Sequence, residues 1–251
     1  MSPRLSLRSV SKRFVHRRRR RPIYRELGRA LRGGSASDDV LALDGLDLEL
    51  EGPSSIGLVG PNGAGKSSLM RIIAGIYRPD SGEVQVTGRV ACFFGGKAGV
   101  APSLSVRDNV WVQAAINGFT RAETSDALDD ILAFAELASH ADTRVEHLSF
   151  GMRQRLSFAV TLQTMRIAKA SIYLFDEWMA GADARYKEKA EDAIGALRGP
   201  PRLVVYASHD LRRLRRMCDE VLYMRDGVVR LRGPASEVID VYLAECGGRD
   251  T

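Results

Sequence analysis

"SSIGLVGPNGAGKSSLMRIIAGIY", residues 54–77, changes character twice. "SSIGLVG" is a short apolar run with the length of a buried strand, whereas "SSLMRIIAGIY" places Leu69, Ile72, Ile73 and Ile76 at helical spacing. Between them, Gly60, Pro61, Asn62, Gly63, Ala64, Gly65, Lys66 and Ser67 fit the pattern G-x-x-x-x-G-K-[ST], with Ser68 continuing into the helix. Glycines in such a loop let successive backbone N–H groups turn toward an anion at a helix N-terminus. Lys66 is then expected to neutralise the β- and γ-phosphates of a nucleotide, and the Ser67 hydroxyl to hold Mg²⁺. A chance glycine turn is the alternative, and the strand before and helix after it argue against that. The loop alone does not choose among kinase, GTPase and motor, but no guanine-selecting N-K-x-D occurs in a suitable place.

Downstream, two more apolar runs end in polar chemistry. "SIYLFDE" finishes with Asp176 and Glu177, where a parallel sheet presents its C-terminal edge to ligands. Asp176 is expected to bind Mg²⁺ through water, and Glu177 to polarise an attacking water. Taken alone, an acidic pair after a strand is a solvated turn; the phosphate loop changes that weighting. "VVYASHD" ends in His209, placed to hydrogen-bond a γ-phosphate and sense its loss. A lone histidine would more often be structural.

The chain has 251 residues, 45% apolar and 27% charged, enough for one large domain with an insertion. No uncharged apolar run reaches a membrane span, and "MSPRLSLRSVSKRF" lacks the apolar segment of a secretory signal, so a cytosolic chain is expected. Cys92, Cys218 and Cys246 match neither zinc spacing nor a disulfide framework and read as reduced packing thiols. The net charge of +6 is concentrated in Arg17 to Arg21 and in Arg212, Arg213, Arg215 and Arg216. Without interleaved aromatics for base stacking, anionic headgroups suit these clusters better than nucleic acid, and a solvated face suits them equally well.

Alternation in "VLALDGLDLEL" marks a half-buried strand, and "DSGEVQVTGRVACFF" reads as a hairpin turning at Gly82 and Gly88. From about Ser105 to Thr164 the pattern is helical, with Leu128, Ile131, Leu132 and Ala135 on one face, so a helical insertion at 104–168 is expected inside an α/β domain. "VLYMRDGVVRL" is a hairpin around Asp226-Gly227. Residues 14–40 read as a basic, then Gly/Ser-rich excursion.

"HLSFGMRQRLSFAV", from His147, resembles the signature loop and helix of ABC-type ATPases, whose usual "LSGGQ" here reads Ser149, Phe150, Gly151, Met152. "VSKRF", the phosphate loop, this signature, "FDE", "MAGADARYKEK" and "SHD" follow in the family's order across nearly the whole chain. The resemblance implies a P-loop NTPase of the ABC ATPase fold, α/β, as a single domain over 1–251 with an inserted helical subdomain and an antiparallel β subdomain. It implies ATP and Mg²⁺ as ligands, and a head-to-tail homodimer in which Ser149 to Met152 contact the nucleotide held by the other copy. Phe14 matches the aromatic that stacks on adenine, with Tyr24 as the alternative. Asp183 matches the aspartate of the loop that communicates between the two sites. Lys66, Glu177 and His209 carry catalysis in this comparison.

One departure narrows the resemblance. "ACFFGGKAGVAPSLSVRDNVW", residues 91–111, has no glutamine where the family places one near Mg²⁺ and the membrane partner. That layout, together with "SFGM", "DEWMAGADARYKEKA" and the basic excursion, is similar to the ATPase subunits of polysaccharide, O-antigen and teichoic-acid exporters. A separate polytopic permease subunit, a peripheral position on the inner face of the cytoplasmic membrane and no nucleic-acid partner are implied. The chain ends after "GPASEVIDVYLAECGGRDT" with no carbohydrate-reading domain expected. An importer or drug-exporter ATPase is the nearer rival. A DNA-associated ATPase would carry long coiled coils, and a non-catalytic relative would have lost Lys66, Glu177 or His209.

Overall fold

The computed structural model describes residues 2–15, 39–94, 100–116, 118–167, 170–176, 183–196 and 202–246. Its centre is a six-stranded sheet in the order β5-β6-β7-β3-β8-β9. The strands are β3 (Ser54–Val59), β5 (Val90–Phe94), β6 (Ile172–Asp176), β7 (Leu203–Ala207), β8 (Glu220–Arg225) and β9 (Val228–Pro234). All adjacent pairs are parallel except β8 with β9, the hairpin expected at Asp226-Gly227, where φ is +53° and +79°.

The apolar runs behave as doubly covered strands do: alternate residues feed two different cores. Tyr173 and Phe175 pack on one face with Val204, Tyr206 and Val221, while Ile172 and Leu174 pack on the other with Val205, Leu58 and Leu222. The second core is closed by helix α1 (Lys66–Ile73) and by a smaller antiparallel sheet, β2-β1-β4, of β1 (Arg4–Val15), β2 (Asp39–Glu51) and β4 (Ser81–Thr87).

The hairpin expected over 80–94 does not form. Ser81–Thr87 pairs with β1 in the small sheet, whereas Val90–Phe94 pairs in parallel with β6 in the large one. Gly88, at φ +125°, carries the chain between sheets so close to Ser171 that a Cβ would lie 2.4 Å from its Oγ. Gly82 is a close-approach residue within β4, where a Cβ would meet the Ser9 carbonyl oxygen at 2.4 Å. Period-two alternation identifies strands but not their partners.

Helices α2 (Val106–Ile116), α3 (Arg121–Ala135) and α4 (Phe150–Ile167) follow β5 and surround a third core of Val110, Leu128, Ile131, Leu132, Leu156 and Val160. Helices α5 (Ala184–Gly195), α6 (Leu211–Met217) and α7 (Ala235–Glu245) complete the layers. The ends of the expected 14–40 excursion are strand, with Phe14 paired to Val40 and Val15 to Asp39. Arg17 to Arg21 and Tyr24 lie outside the described residues.

Candidate functional site

The glycine loop leaves β3, an interior strand of the large sheet paired in parallel with β7 and β8 on either side, which fixes where the loop emerges. Gly60 has φ +149°, and a Cβ there would lie 2.1 Å from the Met224 carbonyl oxygen. Gly65 has φ +102°, with the corresponding clash at 2.4 Å from the Ala42 oxygen. Side chains are excluded at both points by backbone conformation and by space. Helix α1 begins at Lys66 with no side-chain cap and no acidic residue in its first turn, leaving its N-terminal amides for an anion. Leu69, Met70, Ile72 and Ile73 bury the other face of the helix and hold that terminus still. Lys66 is buried, and its Nζ donates to the carbonyls of Gly60 at 2.6 Å and Pro61 at 3.1 Å.

Around this loop lies a cavity of about 280 Å³ lined by Phe14, Val40, Ala42, residues 62–68 and His209. Sequence-distant candidates therefore meet here: an aromatic from the small sheet, the loop, and the histidine after β7. Phe14 is steadied edge-on by Tyr77 at 5.3 Å between ring centroids. Its strand is tied down by Asp80, which accepts from the Arg13 backbone N–H at 2.6 Å and from Lys12 at 2.9 Å. Those two contacts hold the Asp80 carboxyl below its ordinary range. A neighbouring cavity of about 520 Å³, lined by Gly60, Ser208, Asp210, Arg212 and Tyr242, shares His209 with the first.

Asp176 ends β6 and is buried, level in register with Phe94 of β5 and Ala207 of β7. His209 follows β7 by two residues and is exposed at the same sheet edge. Its turn is set by Ser208 Oγ, which accepts from the Asp210 N–H at 3.1 Å, and by Asp210 Oδ1, which accepts from the Arg213 N–H at 3.0 Å. Glu177 lies outside the described residues. A serine hydroxyl beside a phosphate loop and a buried carboxylate at the sheet edge are hard oxygen donors of the kind Mg²⁺ takes, and would hold it together with a bound nucleotide. Ser67 and Asp176 fit that ion.

The signature residues stand elsewhere in the same chain. Ser149 Oγ accepts from the Met152 N–H at 3.2 Å and α4 begins at Phe150. Phe150 is 53% exposed, an uncommon state for a large aromatic. It lines a separate cavity of about 240 Å³ with Val100, Pro102 and Val145. Asp183 caps α5, its Oδ1 accepting from the Tyr186 N–H at 2.9 Å, which lowers its pKa.

Sequence reading missed Asn109. It is fully buried, its Oδ1 accepting from the Ala101 N–H at 2.7 Å while Nδ2 donates to the carbonyls of Ala101, Leu104 and Ser105. It thereby shapes the loop 101–105 within the glutamine-free segment; an amide between apolar Val106 and Val110 was the available signal. Three of the arginines at 212–216 meet carboxylates of the molecule's own helices, Arg213 and Arg216 at Glu191 and Arg215 at Asp240, while Arg212, Arg215 and Arg216 stay exposed. Of the thiols, Cys218 is buried and burial raises the pKa of Cys92, but Cys246 is exposed and does not pack.

The ABC transporter family model matches residues 43–180. The O-antigen export ATP-binding protein RfbB of Myxococcus xanthus is 36% identical over 86% of this chain and 49% of its own length. RfbE of Yersinia enterocolitica, also an O-antigen export ATP-binding protein, is 35% identical over 78% of this chain and 82% of its own. The teichoic acids export ATP-binding protein TagH of Lactococcus lactis is 31% identical over 81% and 43%. The chain thus spans about half the length of two of these relatives. A dimeric ATP-binding cassette solved with ADP and Pi superposes with a TM-score of 0.71 at 21% identity, covering 92% of this chain and 98% of that one. No helix among the described residues is long and apolar enough to cross a membrane. The fold, the matched family and the order of motifs agree: this chain belongs to the ABC transporter family as an ATP-binding protein carrying its ATPase domain.

Proposed function

We propose that this chain is the ATP-hydrolysing subunit of an exporter that moves a polysaccharide or lipid-linked glycan across the cytoplasmic membrane. The observation that carries the catalytic part is the convergence of Phe14, the glycine loop, Lys66 and His209 on one cavity, with Asp176 at the same sheet edge. In this reading Lys66 and the α1 amides hold the β- and γ-phosphates, and Phe14 stacks on the adenine. Ser67 and Asp176 hold Mg²⁺, which when bound offsets phosphate charge as it develops. Glu177 orients and deprotonates the attacking water, and His209 contacts the γ-phosphate.

Ser149 to Met152 stand away from that cavity in their own chain, and the resemblance to ABC-type ATPases supports the reading that they complete the site of a second copy. Two ATP molecules then lie between head-to-tail protomers, and closure and opening of the pair drive a separate transmembrane subunit. The glycan reading rests on the O-antigen and teichoic-acid relatives and on the glutamine-free stretch at 91–111.

The test is capture of the Glu177→Gln protein with ATP from detergent-solubilised native membranes, followed by mass spectrometry of what is bound. A polytopic subunit lacking its own ATPase domain, together with glycan-assembly enzymes, is expected. Recovery of a drug- or nutrient-transport permease instead would overturn the cargo assignment.

A further inference from the structure

Helix α4 starts at the signature, and α5 starts at Asp183. The two helices meet one turn in, at a contact that also includes the end of α3. Glu136 caps α3 in the left-handed conformation, φ +57°, which turns the chain there. Its carboxylate receives Arg155 of α4 at 2.9 Å and Lys189 of α5 at 3.4 Å. Lys189 also donates to the Phe134 carbonyl at 2.9 Å and sits 4.8 Å from the Phe134 ring centroid. Tyr186 donates from its hydroxyl to the Arg155 carbonyl at 3.3 Å, beneath the Arg155 guanidinium at 5.5 Å from its ring centroid. The same Tyr186 gives its backbone N–H to Asp183.

These ion pairs are partly open to water, with side-chain exposures of 18% for Arg155, 33% for Glu136 and 36% for Lys189. Pairs of that exposure add little to folding stability, which the buried cores supply. What they fix is direction: one carboxylate sets the spacing between the helix that begins with Ser149 and the helix that begins with Asp183. We propose that Glu136 is a positioning residue, holding the signature terminus and the Asp183 cap of α5 in the mutual orientation that a second protomer must meet. This rests on the shared-site reading above.

The experiment compares Glu177→Gln with Glu177→Gln/Glu136→Gln and Glu177→Gln/Arg155→Gln as full chains, and with the variant carrying all three changes. It records thermal midpoint, ATP affinity of the monomer and the protein concentration giving half dimer in ATP. Each added change is expected to raise the half-dimer concentration about 10-fold, leaving midpoint and monomer affinity unchanged. The triple variant is expected to lose less than the product of the two separate losses, because both changes break the shared Arg155–Glu136 pair. Dimerisation equal to the parent, additive losses, or losses that track a falling midpoint would each overturn the inference. A Glu177→Gln parent that stays monomeric in ATP overturns the shared-site reading itself.

Discussion

Glu177→Gln is expected to lower ATP turnover by about 10²- to 10⁴-fold while ATP still binds, the range typical of losing a positioned general base. β6 is an interior, fully buried strand, and the register of Asp176 with Phe94 and Ala207 puts the end of that strand at the edge where the glycine loop and His209 also emerge. Glutamine keeps the volume and can still hydrogen-bond water, but it cannot accept a proton at neutral pH. Substrate is therefore retained and the ATP-bound state accumulates. Phosphate release in single turnover is the measurement, and wild-type release would place the base elsewhere.

Lys66→Ala is expected to weaken ATP binding itself, by about 30-fold or more, the loss that follows truncating one partner of a buried charge pair. Lys66 is buried with its ammonium drawn in by the carbonyls of Gly60 and Pro61, so its charge is directed into the loop and poorly screened by water. Equilibrium binding of a fluorescent ATP analogue checks this, with circular dichroism to confirm the fold. Unchanged affinity would remove the loop from phosphate binding.

The large sheet was legible because its strands are buried on both faces and read as unbroken apolar runs, and because a glycine loop between a strand and a helix has few other uses. The same reasoning failed over 80–94. Alternation in "EVQVTGRVACFF" is the same whether the two strands pair together or enter different sheets; the partners β1 and β6, far away in sequence, decide between the two cases. Phe14 was placed by family resemblance; the physical reason for its location, the Tyr77 ring and the Asp80 contacts, joins segments about 65 residues apart.

Charge was the least legible property. In "LRRLRRM", Arg212, Arg215 and Arg216 are exposed, but the run does not show that Glu191 and Asp240, from two other helices, meet three of its four arginines. Glu136 was invisible for the same reason, since its partners come from two later helices. Ion pairing depends on tertiary neighbours that composition does not encode.

The central claim is that the signature of one copy completes the phosphate site of another. Sedimentation equilibrium of the Glu177→Gln protein with and without ATP, alongside Glu177→Gln/Ser149→Arg, tests it most directly. The account predicts an ATP-dependent dimer binding two nucleotides, and an arginine variant that binds ATP with parental affinity yet stays monomeric, because a bulky charge at the start of α4 meets the partner's site. A Glu177→Gln monomer in ATP, or an arginine variant that dimerises as well as its parent, would contradict it.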